Sequence, residues 1–147
     1  MKQQKIANWL KGIVIFLAIL GILYGVGISI LPIHVAYSHV FHWWMLLFCY
    51  IILVLFWNVC TQIGKGNSFS IENATAFHQI GLCGVAIVLG FVAEFAWVCI
   101  KHYVNIPLLI FIGFKIAVFI ILIILCEALS KLIVHAYEIR KENELTI

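Results

Sequence analysis

The sequence predicts an all-α integral membrane protein, a four-helix bundle with an amphipathic extension on its last helix. Three observations predict it. Hydrophobic residues make up 65% of the 147 and charged residues 10%, against roughly 45–50% and 25% in ordinary soluble domains. A soluble fold of this size leaves a large share of its surface in water and has no room to hide so much apolar area. Four apolar runs each approach the roughly 20 residues that a helix needs to cross a ~30 Å hydrocarbon core. The basic residues, finally, gather at alternate ends of those runs. Lipid offers no hydrogen bonds to irregular backbone, so each run must be helical.

The first run, about 13–31, follows Lys2, Lys5 and Lys11 and is closed by Pro32. A basic start before apolar residues also suits a cleaved signal peptide. The run is longer than a 7–15-residue signal core and no small-residue cleavage site follows it, so a retained helix is expected. Ala18, Gly21, Gly25 and Ser29 recur at three- and four-residue spacing, a stripe that lets backbones approach closely and is expected to serve packing within the chain. The second run, about 43–63, ends before Gly64 and Gly66, with Asn58 and Gln62 on one face near its inner end. The third, about 80–100, offers Gly81, Gly84, Gly90 and Ala93 for close packing, and the fourth, about 108–126, begins after Pro107.

Residues 127–147 read as a cytoplasmic amphipathic tail continuing the fourth helix. Ala128, Leu129, Leu132, Ile133, Ala136 and Ile139 recur at helical spacing, with Glu127, Lys131, Glu138 and Lys141 between them. Glu127 and Lys131 form an i,i+4 pair worth about 0.2–0.5 kcal/mol. Packing of this face under the bundle is the first expectation; lying on headgroups and docking a partner are the alternatives. Neither an internal repeat nor a linker divides residues 1–147, which read as a single membrane domain.

Charge sets the orientation. Lys65 lies between the second and third runs, and Lys131, Arg140 and Lys141 follow the fourth, while the opposite side holds only Lys101. Basic flanks stay inside, so both termini are expected in the cytoplasm. Trp43, Trp44, Trp97 and Tyr103 fall near the outer interface and Trp9 and Trp57 near the inner one, where amphipathic rings belong. A net charge of +3 without a basic, aromatic-studded patch argues against direct nucleic-acid binding. Cys49, Cys60, Cys83, Cys99 and Cys126 are odd in number and lack C-x-x-C spacing, so inert thiols are expected. His34, His39, His42 and His102 share the outer side, where imidazoles can follow external pH. No ligand set accompanies them, and no metal or cofactor is expected. His78 and His135 fall on the cytoplasmic side. No nucleophile elbow, metalloprotease, phosphate-loop or dinucleotide motif occurs, so no enzymatic activity is expected.

Glu94 and Lys115 are the ionisable groups well inside spans. Counted from the outer loop both lie about 9–12 Å deep at 1.5 Å per residue. The third and fourth spans share a short loop and are antiparallel neighbours, so the two side chains can meet. A lone charge at such depth costs about 2.5–3.5 kcal/mol or more, which favours pairing. An intramembrane ion pair is expected, fixing helix register or responding to a ligand, proton or membrane state.

The loop at 64–73 is the most distinctive stretch. Gly64, Gly66 and Asn67 permit tight turning, Ser70 is placed to cap the third helix, Glu72 sits in its first turn, and Phe69 can tuck back as a staple. Gly66, Phe69, Glu72, Asn73, Ile80 and Gly81, with the chain end Glu142-Asn143-Glu144-Leu145-Thr146-Ile147, resemble the bacterial four-span membrane proteins grouped as domain of unknown function 2975. There a G-x-x-F-x-x-E-N loop enters the third span and an acidic E-x-D-L-T-[IV] ending follows the fourth. Ser68, Ala76-Phe77-His78 and Glu144 depart from that pattern.

The resemblance implies a bacterial plasma-membrane protein without an established activity. Members are often encoded beside a small helix-turn-helix transcription regulator. The expected role is therefore regulatory or sensory: the inner face, with Glu72, Asn73 and the tail from Glu138 to the end, sequesters that regulator. Transport of a small solute, or protection of the membrane against a toxic peptide, is the rival class, with a homo-oligomer then formed around the Glu94–Lys115 pair and the glycine stripes.

Overall fold

The computed structural model describes residues 2–30, 38–102 and 104–146. Four helices account for almost all of them: α1 (Lys2–Ile30), α2 (Ser38–Gly64), α3 (Ile71–Ile100) and α4 (Ile106–Leu145). Each is long and apolar enough to cross a bilayer, and no strand occurs among the described residues. The helices run past the apolar runs that predict them. α3 begins about two and a half turns before residue 80, and α4 continues unbroken through the amphipathic segment. Pro32, His34, Tyr103 and Ile147, all drawn into the sequence reading, lie outside the described residues.

Local chemistry explains the helix ends. α2 stops in a glycine-terminated turn: Gly66 at φ 83°, its N–H donating to Ile63 O, and Asn67 N–H reaching back to Gln62 O. That is the pairing of a Schellman motif, and the left-handed position selects glycine. Ser70 caps α3, its hydroxyl accepting from Asn73 N–H at 3.3 Å. Asn105 caps α4, accepting from Leu108 N–H at 2.8 Å, with Pro107 in the first turn, where its missing N–H costs nothing. Between them His102, at φ 55°, closes α3 in a conformation few non-glycine residues adopt.

The helices pack in chain order, α1 on α2, α2 on α3 and α3 on α4, and no other pair brings described backbones within 8 Å. The seams are antiparallel. On α1, Tyr50 of α2 sits against Gly21 and donates to Ala18 O at 2.9 Å, Leu46 covers Gly25, and Ala7 meets Gly64. The small-residue stripe of α1 thus receives α2, a use within the chain. Trp44 of α2 lies on Gly90 of α3 and donates its indole N–H to Ala86 O at 3.0 Å. Gly81 and Gly84 of α3 admit Cys126 and Ile123 of α4. Ile87, Phe91, Val98 and Ile112 are buried along these seams, while large aliphatics such as Ile22, Leu89 and Ile124 stay exposed, as lipid-facing side chains do.

The tail packs on a different face from the one its periodicity predicts. Cys126, Ser130 and Ile133 are the buried positions, while Leu129, Leu132 and Ile139 are exposed. The reason is close approach: Ser130 donates to Ala74 O of α3 at 2.8 Å, and that contact admits only a small side chain. Leu129, Leu132 and Ile139 turn outward, and Ile133 alone of the larger aliphatics on the predicted stripe is buried.

Candidate functional site

Two constellations bring predicted residues together, one within the membrane and one beyond it. In the first, Lys115 Nζ lies 2.9 Å from Glu94 Oε2, the side chains 15% and 5% exposed. The ammonium also stands over the rings of Phe91 at 4.4 Å and Phe111 at 5.2 Å, and Phe119 meets Phe91 edge-on at 5.7 Å. A cation on aromatic faces gains about 0.5–2 kcal/mol per ring, most when desolvated. Phe91 is three residues before Glu94 and Phe111 four before Lys115, so helical spacing alone could have located both. In the same half of the bundle, the half away from the termini, the ring of Tyr24 of α1 lies tilted beside that of His42 of α2 at 6.1 Å.

The second constellation is built by α4's length. α3 has 30 residues and α4 has 40, and the two start level at the loop that joins them. The excess, about 15 Å at 1.5 Å per residue, therefore projects beyond α3 at the end that carries both termini. The register follows from four contacts: Lys115 on Glu94, Ile123 on Gly84, His78 Nδ1 at 2.9 Å from Glu127 Oε2, and Ser130 on Ala74. Extended by two turns, it sets the last part of α4 against the loop between α2 and α3. There Asn67, Phe69 and Ser70 face Tyr137, Arg140, Lys141 and Glu144 across an open cleft of about 490 Å³. Each of the two segments that carry the family resemblance contributes one residue to it, Phe69 on one wall and Glu144 on the other.

Asn73 holds the loop wall. It is 1% exposed, and its side-chain amide donates to Asn67 O at 3.2 Å and Ser68 O at 3.0 Å. A buried carboxamide whose donors meet two loop carbonyls fixes their direction. Phe69, by contrast, is 59% exposed. The staple expected against the helix start is therefore replaced by an open aromatic in the cleft. On the other wall Arg140 Nε lies 3.0 Å from Glu144 Oε1, and Thr146 Oγ1 donates to Glu142 O. Glu138, Glu142, Asn143 and Leu145 are exposed and take no part in the cleft lining.

The remaining predicted residues are placed as follows. Glu72 is exposed in the first turn of α3 and borders a different groove, between α2 and α3. Gly81 packs within the α3–α4 seam, away from the loop. Glu127 has its near partner in His78, with Lys131 farther off at 3.8 Å. His78 and Glu127 lie outside the apolar runs at 80–100 and 108–126, and the hydrogen bond from His78 holds the Glu127 carboxyl below its ordinary 4.5. No group of three His, Cys, Asp or Glu suited to a metal ion occurs among the described residues, and all five cysteines are free. The interhelical bonds of His78, Ser130 and Trp44 were not read from the sequence, because each depends on register between helices.

A family model described as a protein of unknown function (DUF2975) matches residues 33–147. Comparison with curated proteins and with solved structures returned no match. The match spans most of the chain, which therefore belongs to the DUF2975 family.

Proposed function

We propose that this DUF2975 member is a multi-pass protein of the bacterial plasma membrane whose cytoplasmic end holds a soluble regulatory protein. The leading partner is the small helix-turn-helix transcription regulator implied by the family resemblance. One observation carries the reading: the overhang of α4 and the α2–α3 loop meet in an open cleft beyond the membrane spans. Orientation rests on Lys5, Lys11, Lys65, Lys131, Arg140 and Lys141 at that end against Lys101 at the other.

The overhang offers what a protein partner needs. Leu132 and Ile139 are exposed apolar positions beyond the hydrocarbon-length run, and Glu138 and Glu142 form an acidic pair one turn apart on the same helix. Such acids complement a basic DNA-binding surface and speed its encounter. Held at the membrane, the partner cannot occupy DNA. Affinity capture of the regulator by full-length protein, compared with a variant ending at residue 137, tests this. Recovery by the full chain alone supports the reading, and equal recovery by both removes the overhang from the mechanism.

A further inference from the structure

We propose that the groove between the terminal-side ends of α2 and α3 is a binding site for a phosphoglyceride whose headgroup carries both a phosphate and a primary ammonium, a phosphatidylethanolamine. The groove measures about 560 Å³ and shares no lining residue with the cleft of Phe69 and Arg140. Its α2 wall carries Asn58, Gln62 and Lys65, and its α3 wall Glu72, Thr75 and Gln79.

Three features of this groove point to a ligand. Lys65 and Glu72 stand on facing walls, and neither belongs to an ion pair with another described residue. The side-chain amides of Asn58, Gln62 and Gln79 make no hydrogen bond with another described residue. Together they set unpaired donors and acceptors around a concave space, next to charges of opposite sign. Its level is also that of a headgroup, at the ends of the apolar runs 43–63 and 80–100. Toward the membrane Leu55 continues the lining, and Ile51 and Leu82, about one turn beyond, are exposed aliphatics against which an acyl chain can lie.

The chemistry selects among headgroups. A phosphate accepts from the Lys65 ammonium and a Gln62 amide, while an ammonium donates to the Glu72 carboxylate and the Gln79 amide oxygen. One positive and one negative wall match a zwitterion. An anionic glycerol headgroup leaves Glu72 without a cation. A trimethylammonium has no N–H to donate, and the groove has no aromatic ring to receive it instead.

The test uses the full chain, purified in detergent and stripped of lipid, then loaded from mixed micelles containing phosphatidylethanolamine, phosphatidylcholine or phosphatidylglycerol. Native mass spectrometry reads the lipid retained. Retention of phosphatidylethanolamine about tenfold above phosphatidylcholine is expected, the ratio that one charge-assisted hydrogen bond supplies. Glu72→Gln should erase that ratio, and Gln79→Ala should reduce it with the α3 cap and charge intact. Water-soluble glycerophosphoethanolamine should compete poorly, because it lacks the acyl chains. Equal retention of all three lipids, best retention of phosphatidylglycerol, or a ratio unchanged in both variants overturns the proposal. The variant ending at residue 137 should keep the lipid preference, which separates this site from the proposed partner surface.

Discussion

Removing the Lys115 ammonium is the most severe single change available inside the membrane. In Lys115→Met, a carboxylate 5% exposed loses a cation 2.9 Å away. Two unit charges at 4 Å attract by about 4 kcal/mol at an effective dielectric of 20, and breaking a buried pair from one side costs about 3–5 kcal/mol. We expect about 3–4 kcal/mol for this variant. Glu94→Gln is milder, because a carboxamide oxygen can still accept from Lys115 and the ammonium keeps the faces of Phe91 and Phe111. About 1.5–3 kcal/mol follows from the loss of a charged hydrogen bond. The double variant carries no buried charge and should cost less than the sum of the singles by about 2–3 kcal/mol, a coupling typical of contacting groups. Equilibrium unfolding in mixed micelles, with accumulation in membranes as a second readout, measures the cycle. Additive singles, within about 0.5 kcal/mol, or a Glu94→Gln variant harsher than Lys115→Met, would refute the reasoning.

Gly84→Ala places a Cβ 2.7 Å from Ile123 Cγ1; overpacking should cost about 1–3 kcal/mol in the same unfolding assay and be relieved in part by Ile123→Ala. Asn73→Ala loses two hydrogen bonds to loop carbonyls and should open the loop to proteolysis. Asn73→Asp should be worse, since a carboxylate there faces the carbonyls of Asn67 and Ser68 with nothing to donate; equal resistance of wild type and both variants would show that the loop holds without Asn73. The Glu127 carboxyl is depressed in the folded protein, so its contribution is present in full above the ordinary carboxylate value and fades as pH falls through the lower folded one. The stability difference between wild type and Glu127→Gln should therefore shrink in acid below 4.5; a difference unchanged down to the acid end contradicts the linkage.

How much was legible in the sequence depended on how local each signal is. The four spans are continuous apolar runs, and hydrocarbon permits them only one conformation. Ser70 and Glu72 report their roles within one helical turn. Glu94 and Lys115 were readable as neighbours because a five-residue link joins their helices and their distances from it are similar. The tail was not readable in the same way: Leu129, Leu132 and Ile139 have the right period for a packed face, yet periodicity does not say which stripe meets a neighbour. Ser130 decides that, through a carbonyl 56 positions away in the chain. Phe69 misled for a related reason, since the apolar surface it was expected to cover is taken up by the packing of α3 on α4.

Polar contacts between helices are distributed unevenly along the chain. α3 and α4 are joined at three levels, by Glu94–Lys115, His78–Glu127 and Ser130–Ala74, spaced along both helices. α1 meets α2 through small residues, the Tyr50 hydroxyl and Lys11 over the Trp57 ring at 5.0 Å, and approaches neither α3 nor α4. Of the three α3–α4 contacts only Glu94–Lys115 lies where hydrocarbon offers no competing partner, and the other two hold the same register beyond the apolar runs. The cleft is lined by α4 and the α2–α3 loop, and the groove lies on the α2–α3 seam. Because α1 packs on α2 alone among the helices and touches the loop through Gln3 beside Gly66, a change in its seating should reach the groove through α2 and that loop rather than through α4.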